Sequence, residues 1–212
     1  MPERTFILLG GGDLRAKETL PLDKKIAALA APHAGERRPC ALFIGTASHD
    51  FMPYYNTFHK TYTGELGWKT DVALTVFHTP DAAKLDAKFA AADLIYIGGG
   101  DTLFMLDHWK TDGLLDRILA AYRRGVVIAG LSAGAICWFE EMYTDSAVDG
   151  VPTPYSFHPG LGVLKGGACP HYNLRKPDFL AACPPADLSR WLCLSDNTAA
   201  VYRDEVFVEI WE

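Results

Sequence analysis

Val126-Val127-Ile128-Ala129-Gly130-Leu131-Ser132-Ala133-Gly134-Ala135 is the stretch that decides the fold. Four consecutive apolar residues, without alternation, read as a strand buried on both faces. The run ends at a serine with glycine two positions before and two positions after it, and small residues of helical pattern follow. In Gly-x-Ser-x-Gly set between strand and helix, the glycines leave room for a strained turn and a close helix–strand approach. The serine hydroxyl is thereby lifted above the strand ends. The following helix would aim free amides and its positive end at the same point, where an anion such as a tetrahedral oxyanion is favoured. The pentapeptide alone also fits a serine that only caps a helix.

Working outward, similar apolar runs recur at residues 6–9, 41–45, 72–77 and 94–97. Helical patterns at 23–31, 53–66, 81–92, 103–109 and 114–124 separate them, with Asp81 placed to cap one and Gly125 to end another. Buried strands alternating with helices predict an α/β fold, a doubly wound, mostly parallel sheet flanked by helices. The last third is richer in Pro and Gly and carries shorter apolar runs at 191–194, 199–202 and 206–210. These predict short additional strands near the C-terminus, antiparallel in part. No repeat, low-complexity tract or linker divides the chain, so residues 1–212 are expected to form one domain.

The chain has 212 residues, 49% of them apolar and 22% charged, ordinary globular usage that excludes disordered and collagen-like classes. Its net charge of −6 repels phosphate backbones, so nucleic acid is not an expected partner. Five cysteines at irregular spacing, with no CxxC pair, do not make a secreted disulfide framework or a zinc ribbon. No apolar run is long enough for a membrane helix or a leader, so neither a membrane partner nor export is expected; the expectation is a cytoplasmic protein. A homodimer is compatible with the sequence, which contains no feature that decides it.

A second glycine cluster, Gly98-Gly99-Gly100-Asp101-Thr102, also closes a buried strand. In a parallel sheet the C-terminal strand ends share one edge, so this loop and Ser132 are expected to meet. Asp101 or Thr102 would cap the helix beyond. Gly10-Gly11-Gly12-Asp13-Leu14-Arg15 opens like a dinucleotide fingerprint but has Arg where its last glycine belongs, and no P-loop is present. No cofactor and no metal is expected.

A serine nucleophile needs a base, and imidazole is the usual one near neutral pH. His33, His49, His59, His78 and His108 precede the turn and read as surface residues, whereas His158 and His171 follow it, and spacing barely separates those two. An acid must orient the imidazole. Asp145, Asp149, Asp178 and Asp196 are the candidates; Asp196 closes an apolar run and fits an Asx turn equally well.

Three motifs in order, Ile97-Gly98-Gly99-Gly100-Asp101-Thr102, Gly130-Leu131-Ser132-Ala133-Gly134-Ala135 and Pro170-His171, resemble the peptidase E (aspartyl dipeptidase) and cyanophycinase family of serine peptidases. The resemblance implies a fold akin to class I glutamine amidotransferases with serine in place of cysteine. It puts the nucleophile on Ser132, the histidine on His171 and the oxyanion donors on the amides of Gly99 or Gly100 and of Ala133. The acid of the family is usually Glu; the matching segment Leu194-Ser195-Asp196-Asn197 supplies Asp196, one methylene shorter, with Asp145 as the alternate.

The resemblance also implies small peptide substrates, dipeptides with N-terminal Asp among them. A carboxylate of that kind calls for a cation, and Arg175 is the candidate just past His171, although a solvated turn before Pro177 explains it as well. Two rival readings stand beside the serine peptidase. One is a non-catalytic module of the same fold that binds a small anionic ligand. The other is a cysteine hydrolase using Cys137, which falls a turn into the helix, on the wrong side of the serine.

Overall fold

The computed structural model describes residues 2–77, 79–145, 147–148 and 151–212, so His78 and Asp149 lie outside the described residues. All five parallel strands expected before Ser132 form: β1 (Thr5–Leu9), β2 (Cys40–Ile44), β3 (Lys69–Ala73), β4 (Leu94–Ile97) and β5 (Val127–Leu131). They stand in the order β1-β5-β4-β2-β3, all parallel. Successive side chains leave opposite faces. Phe6, Leu8, Ile95, Ile97 and Ile128 enter one core, while Ile7, Leu9, Leu94, Tyr96 and Val127 enter the other.

Helices α1 (Leu20–Ala30) and α2 (Met52–Lys60) cover the second core through Leu22, Ile26 and Phe58. The first is covered by α3 (Ala82–Ala91), α4 (Thr102–Asp112) and α5 (Leu114–Arg123) through Phe89, Trp109 and Ile118. Each such side chain, fully buried, contributes about 1.5–3 kcal/mol. This is why unbroken apolar runs were needed in the strands. The expected caps are present: the Asp81 carboxylate accepts from the Lys84 amide, and that of Asp101 from the Phe104 amide.

Several boundaries shift by a few residues, and two of the shifts have a visible local form. The third strand ends at Ala73, not 77, because the Asp50 carboxylate accepts from the amides of Thr75 (2.7 Å) and Val76 (2.9 Å) and draws the chain off the sheet. The helix expected over 53–66 is α-helical only to Lys60 and then widens into a π turn over Thr61–Glu65.

The larger difference follows Ser132. Helix α6 (Ala133–Ile136) is a single turn, after which β6 (Phe139–Thr144) opens a second sheet. A two-stranded ribbon, β7 (Ala147–Val148) with β8 (Val151–Pro152), precedes β9 (Ser156–Pro159) and β10 (Leu164–Cys169). Helix α7 (Tyr172–Ala182) and β11 (Trp191–Cys193) complete the unit, whose order is β11-β10-β6-β9. Phe179 of α7 packs with Tyr143, Cys169 and Cys183 against it. The chain then returns through β12 (Ala199–Arg203) and β13 (Val206–Trp211), antiparallel on the free edge of β1. The short C-terminal strands were expected, the four-stranded sheet was not. Among the described residues no helix is long and apolar enough to cross a membrane.

Candidate active site

Three chain segments end at one place. Strand β5 delivers Ser132, β10 delivers His171, and β11, parallel to β10, delivers Asp196. The Ser132 backbone has φ +51 and ψ −107, a conformation that costs a non-glycine residue about 1–3 kcal/mol. Packing enforces it. A Cβ on Gly130 would lie 2.0 Å from the Gly134 carbonyl oxygen, and one on Gly134 would lie 2.3 Å from that of Ile97. Both glycines are therefore needed for helix and strands to approach so closely.

The His171 ring joins the other two groups. Its Nε2 stands 2.9 Å from Ser132 Oγ, and its Nδ1 stands 2.5 Å from Asp196 Oδ1. Asn173, two residues further on, clamps the carboxylate: its Nδ2 donates to Asp196 Oδ2 (3.0 Å) and its Oδ1 accepts from the Asp196 amide (2.9 Å). The serine is buried, while histidine and aspartate are partly open to solvent.

The loop Gly10-Gly11-Gly12, left without a role by the sequence reading, ties these segments together. The Leu9 carbonyl accepts from the Ser132 amide, that of Gly10 from His171 and that of Gly11 from Asn197. A Cβ on Gly11 would meet Asp196 Oδ1 at 1.9 Å and His171 Nδ1 at 2.3 Å, so only glycine fits beneath the His–Asp pair. Three adjacent glycines at a strand end were the signal; that they lie beneath the His171–Asp196 pair was not readable from spacing.

The candidates for oxyanion donors separate. The Gly99 amide donates to the Tyr54 hydroxyl (3.2 Å) and is engaged in this structure. Burial pushes the Tyr54 phenol up to about 12, so it stays protonated. Gly100, with φ +142, has its Cβ position 2.2 Å from the Ala47 carbonyl oxygen, and only glycine fits there. Ala133 opens α6, where the first amides have no intrahelical acceptor. Because α6 is one turn long, the expected dipole of a full helix is replaced by these individual amides.

The remaining candidates sit elsewhere. Asp145 does not face His171; its Oδ1 accepts from Arg175 Nη2 at 3.4 Å, so the alternate acid is displaced by Asp196. Arg175 is buried rather than a solvated turn residue. It donates to the Tyr143 carbonyl (3.1 Å) and lies over the Tyr155 ring, with its Nε unpartnered among the described residues. His158 bonds Ser156 on β9, and Asp178 is exposed on α7. Cys137 is fully buried, and burial drives its thiol well above its ordinary range, which leaves it protonated and inert as a nucleophile.

A hydroxyl, an imidazole and a carboxylate in hydrogen-bonded series above a parallel sheet define an α/β protein with a hydrolase-type site. The chain belongs to peptidase family S51, whose model matches residues 6–210, and it is a peptidase. It is 33% identical over 210 residues to the uncharacterized peptidase YgaJ of Bacillus subtilis, covering 96% of this chain and 86% of that protein. Peptidase E of Streptomyces coelicolor is 29% identical over 123 residues, 58% of this chain and 50% of that protein. In structure the chain resembles a protein assigned as peptidase E from Listeria monocytogenes EGD-e, with a TM-score of 0.68 over 97% of both chains at 18% identity, a likeness of fold.

Proposed function

We propose that the protein is a serine peptidase acting on short peptides. The observation that carries this reading is the unbroken series Ser132 Oγ, His171 Nε2, His171 Nδ1, Asp196 Oδ1 at 2.9 and 2.5 Å. With Asp196 accepting from Nδ1–H, the Nε2 lone pair faces the serine. Ser132 Oγ attacks the scissile carbonyl as its proton passes to Nε2. The oxyanion is held by the amides of Gly100 and Ala133. His171 then protonates the departing amine, the C–N bond breaks, and an acyl-enzyme remains on Ser132. Water, deprotonated by the same imidazole, releases the acid and restores the serine.

Peptidase E relatives make dipeptides with N-terminal Asp the first substrates to test. The cation for that side chain would be Arg175, which here is held by Tyr143 and Asp145, so an Asp preference requires the Asp145 contact to yield. The reading includes a cytoplasmic location.

A dipeptide panel containing Asp-X, run on wild type and Ser132→Ala, tests the proposal, together with a serine-directed phosphonate located by mass spectrometry. Hydrolysis lost in the variant and a label on Ser132 are expected. Full hydrolysis by Ser132→Ala would overturn the mechanism, and a folded protein that neither hydrolyses nor takes the label would instead fit a binding module.

A further inference from the structure

An open cleft of about 700 Å³ adjoins the triad, between the loop after β1 and helix α2. Each wall connects to the reacting groups through a neighbouring residue. Gly12 follows Gly11, which lies against the His171–Asp196 pair, and Tyr54 bonds Gly99, whose Cβ position is 3.4 Å from Ser132 Cβ. Phe51, 59% exposed at the start of α2, and the Tyr54 ring give it apolar surface. Arg15 and Lys60 stand in its wall, both exposed, and neither head group has a carboxylate partner among the described residues. The Asp13 carboxylate beside them is engaged by the amides of Arg15 (2.6 Å) and Ala16 (2.9 Å) instead.

The other recess at the site has the opposite character. It is small, about 190 Å³, borders Gly100 and carries Asp101 and Asp145. A substrate carboxylate meets two acids there, one of them held by Arg175, whereas in the cleft it meets two cations against the single, amide-engaged Asp13, beside apolar walls. General acid catalysis adds direction: the departing amine must reach the imidazole, and the cleft begins at the loop packed against that ring.

We infer that the cleft is the leaving-group subsite and that Arg15 and Lys60 select a departing residue ending in a free α-carboxylate, which makes the enzyme a dipeptidase by recognition of that terminus. This rests on the proposed role of Ser132 as nucleophile. The covalent steps are unchanged: the amide C–N bond breaks, the departing nitrogen takes its proton from His171, and the free amino acid leaves with its carboxylate intact. A longer peptide puts an uncharged amide where the two cations expect an anion.

The test compares dipeptides ending in Leu or Phe with the same dipeptides as C-terminal amides, on wild type, R15Q/K60Q and R15E/K60E. Wild type is expected to favour the free acid by about tenfold or more in kcat/KM, mostly through KM, as two partly solvated charge contacts allow. In R15Q/K60Q the preference disappears because kcat/KM for the free acids falls toward that for the amides, with the Tm as in wild type; in R15E/K60E it inverts. Wild type that hydrolyses acid and amide equally, or a double variant that loses both in proportion, overturns the subsite and leaves the serine mechanism standing. If wild type hydrolyses neither and Ser132 takes no phosphonate label, the parent reading fails and the subsite with it.

Discussion

Ser132 and its partners come from regions built in different ways. The serine ends β5, inside a sheet whose strands are buried on both faces, and glycines at 130 and 134 shape its turn by direct contact. His171 and Asp196 lie 25 residues apart and leave the smaller sheet, where α7 intervenes; one face of that sheet packs on Phe179 and the other joins the first core through Met142, Leu164 and Ala168. The positions of His171 and Asp196 depend on hydrogen bonds to a third segment, the glycine loop after β1. The turn at Ser132 is thus shaped largely by its own flanking glycines, whereas the geometry of the His171–Asp196 pair is a long-range property.

The comparison is broken most severely at its meeting point. Ser132→Ala is expected to lower kcat by about 10⁴-fold or more while the fold persists, checked by kcat and Tm side by side. Gly11→Ala comes next. Its methyl falls on Asp196 Oδ1 and His171 Nδ1, so the pair must part, and a loss of about 10²- to 10⁴-fold in turnover is expected. Gly134→Ala sharpens the contrast, because its methyl meets the Ile97 carbonyl in the rigid sheet. There the damage should appear first in stability, at about 2–4 kcal/mol by chemical denaturation.

Smaller effects separate the acids. Asn173→Ala frees one side of the Asp196 carboxylate and is expected to lower kcat about tenfold, with KM little changed and part of the loss restored by Asn173→Gln. Asp145→Asn should leave kcat within a few-fold, since Asp145 bonds Arg175 and not the imidazole. A loss as large as that of Asp196→Asn would overturn the assignment of the acid.

The smallest effect lies outside the site, beneath the cleft wall. Asp23 is fully buried, hydrogen-bonded by Thr19 and Tyr62, and burial raises its carboxyl from 3.8 to about 6. The folded chain therefore binds this proton more readily than the unfolded chain, and the contribution of Asp23 to stability falls as pH rises from about 4 to 6. Asp23→Asn removes that dependence. It is expected to gain about 1–2 kcal/mol over wild type at pH 8, a difference that shrinks toward pH 4 in urea titrations.

Legibility followed the range of the interactions. The five parallel strands were readable because burial on two faces demands unbroken apolar runs, and the helix caps were readable because they act over three residues. The end of β3 was not, since it is decided by Asp50, 25 residues upstream of Thr75. The second sheet escaped notice because its strands are short and mix Gly, Pro and charged residues, so no period stands out. Among site residues, Ser132 could be found from its own neighbours. His171 stood level with His158 by spacing, and the family resemblance separated them. Asn173, Tyr54 and the loop of Gly10 to Gly12 carry no pattern that announces their partners.

By itself the sequence determined a doubly wound parallel sheet and a serine at a glycine-flanked turn, because burial periodicity and close packing are written into neighbouring residues. Only the tertiary structure decided that Asp196 rather than Asp145 meets the imidazole, that Gly99 is engaged by Tyr54, and that Arg15 and Lys60 border one cleft near Ser132. Those outcomes depend on which loops converge at one sheet edge, and convergence in space is a property of the whole packed chain.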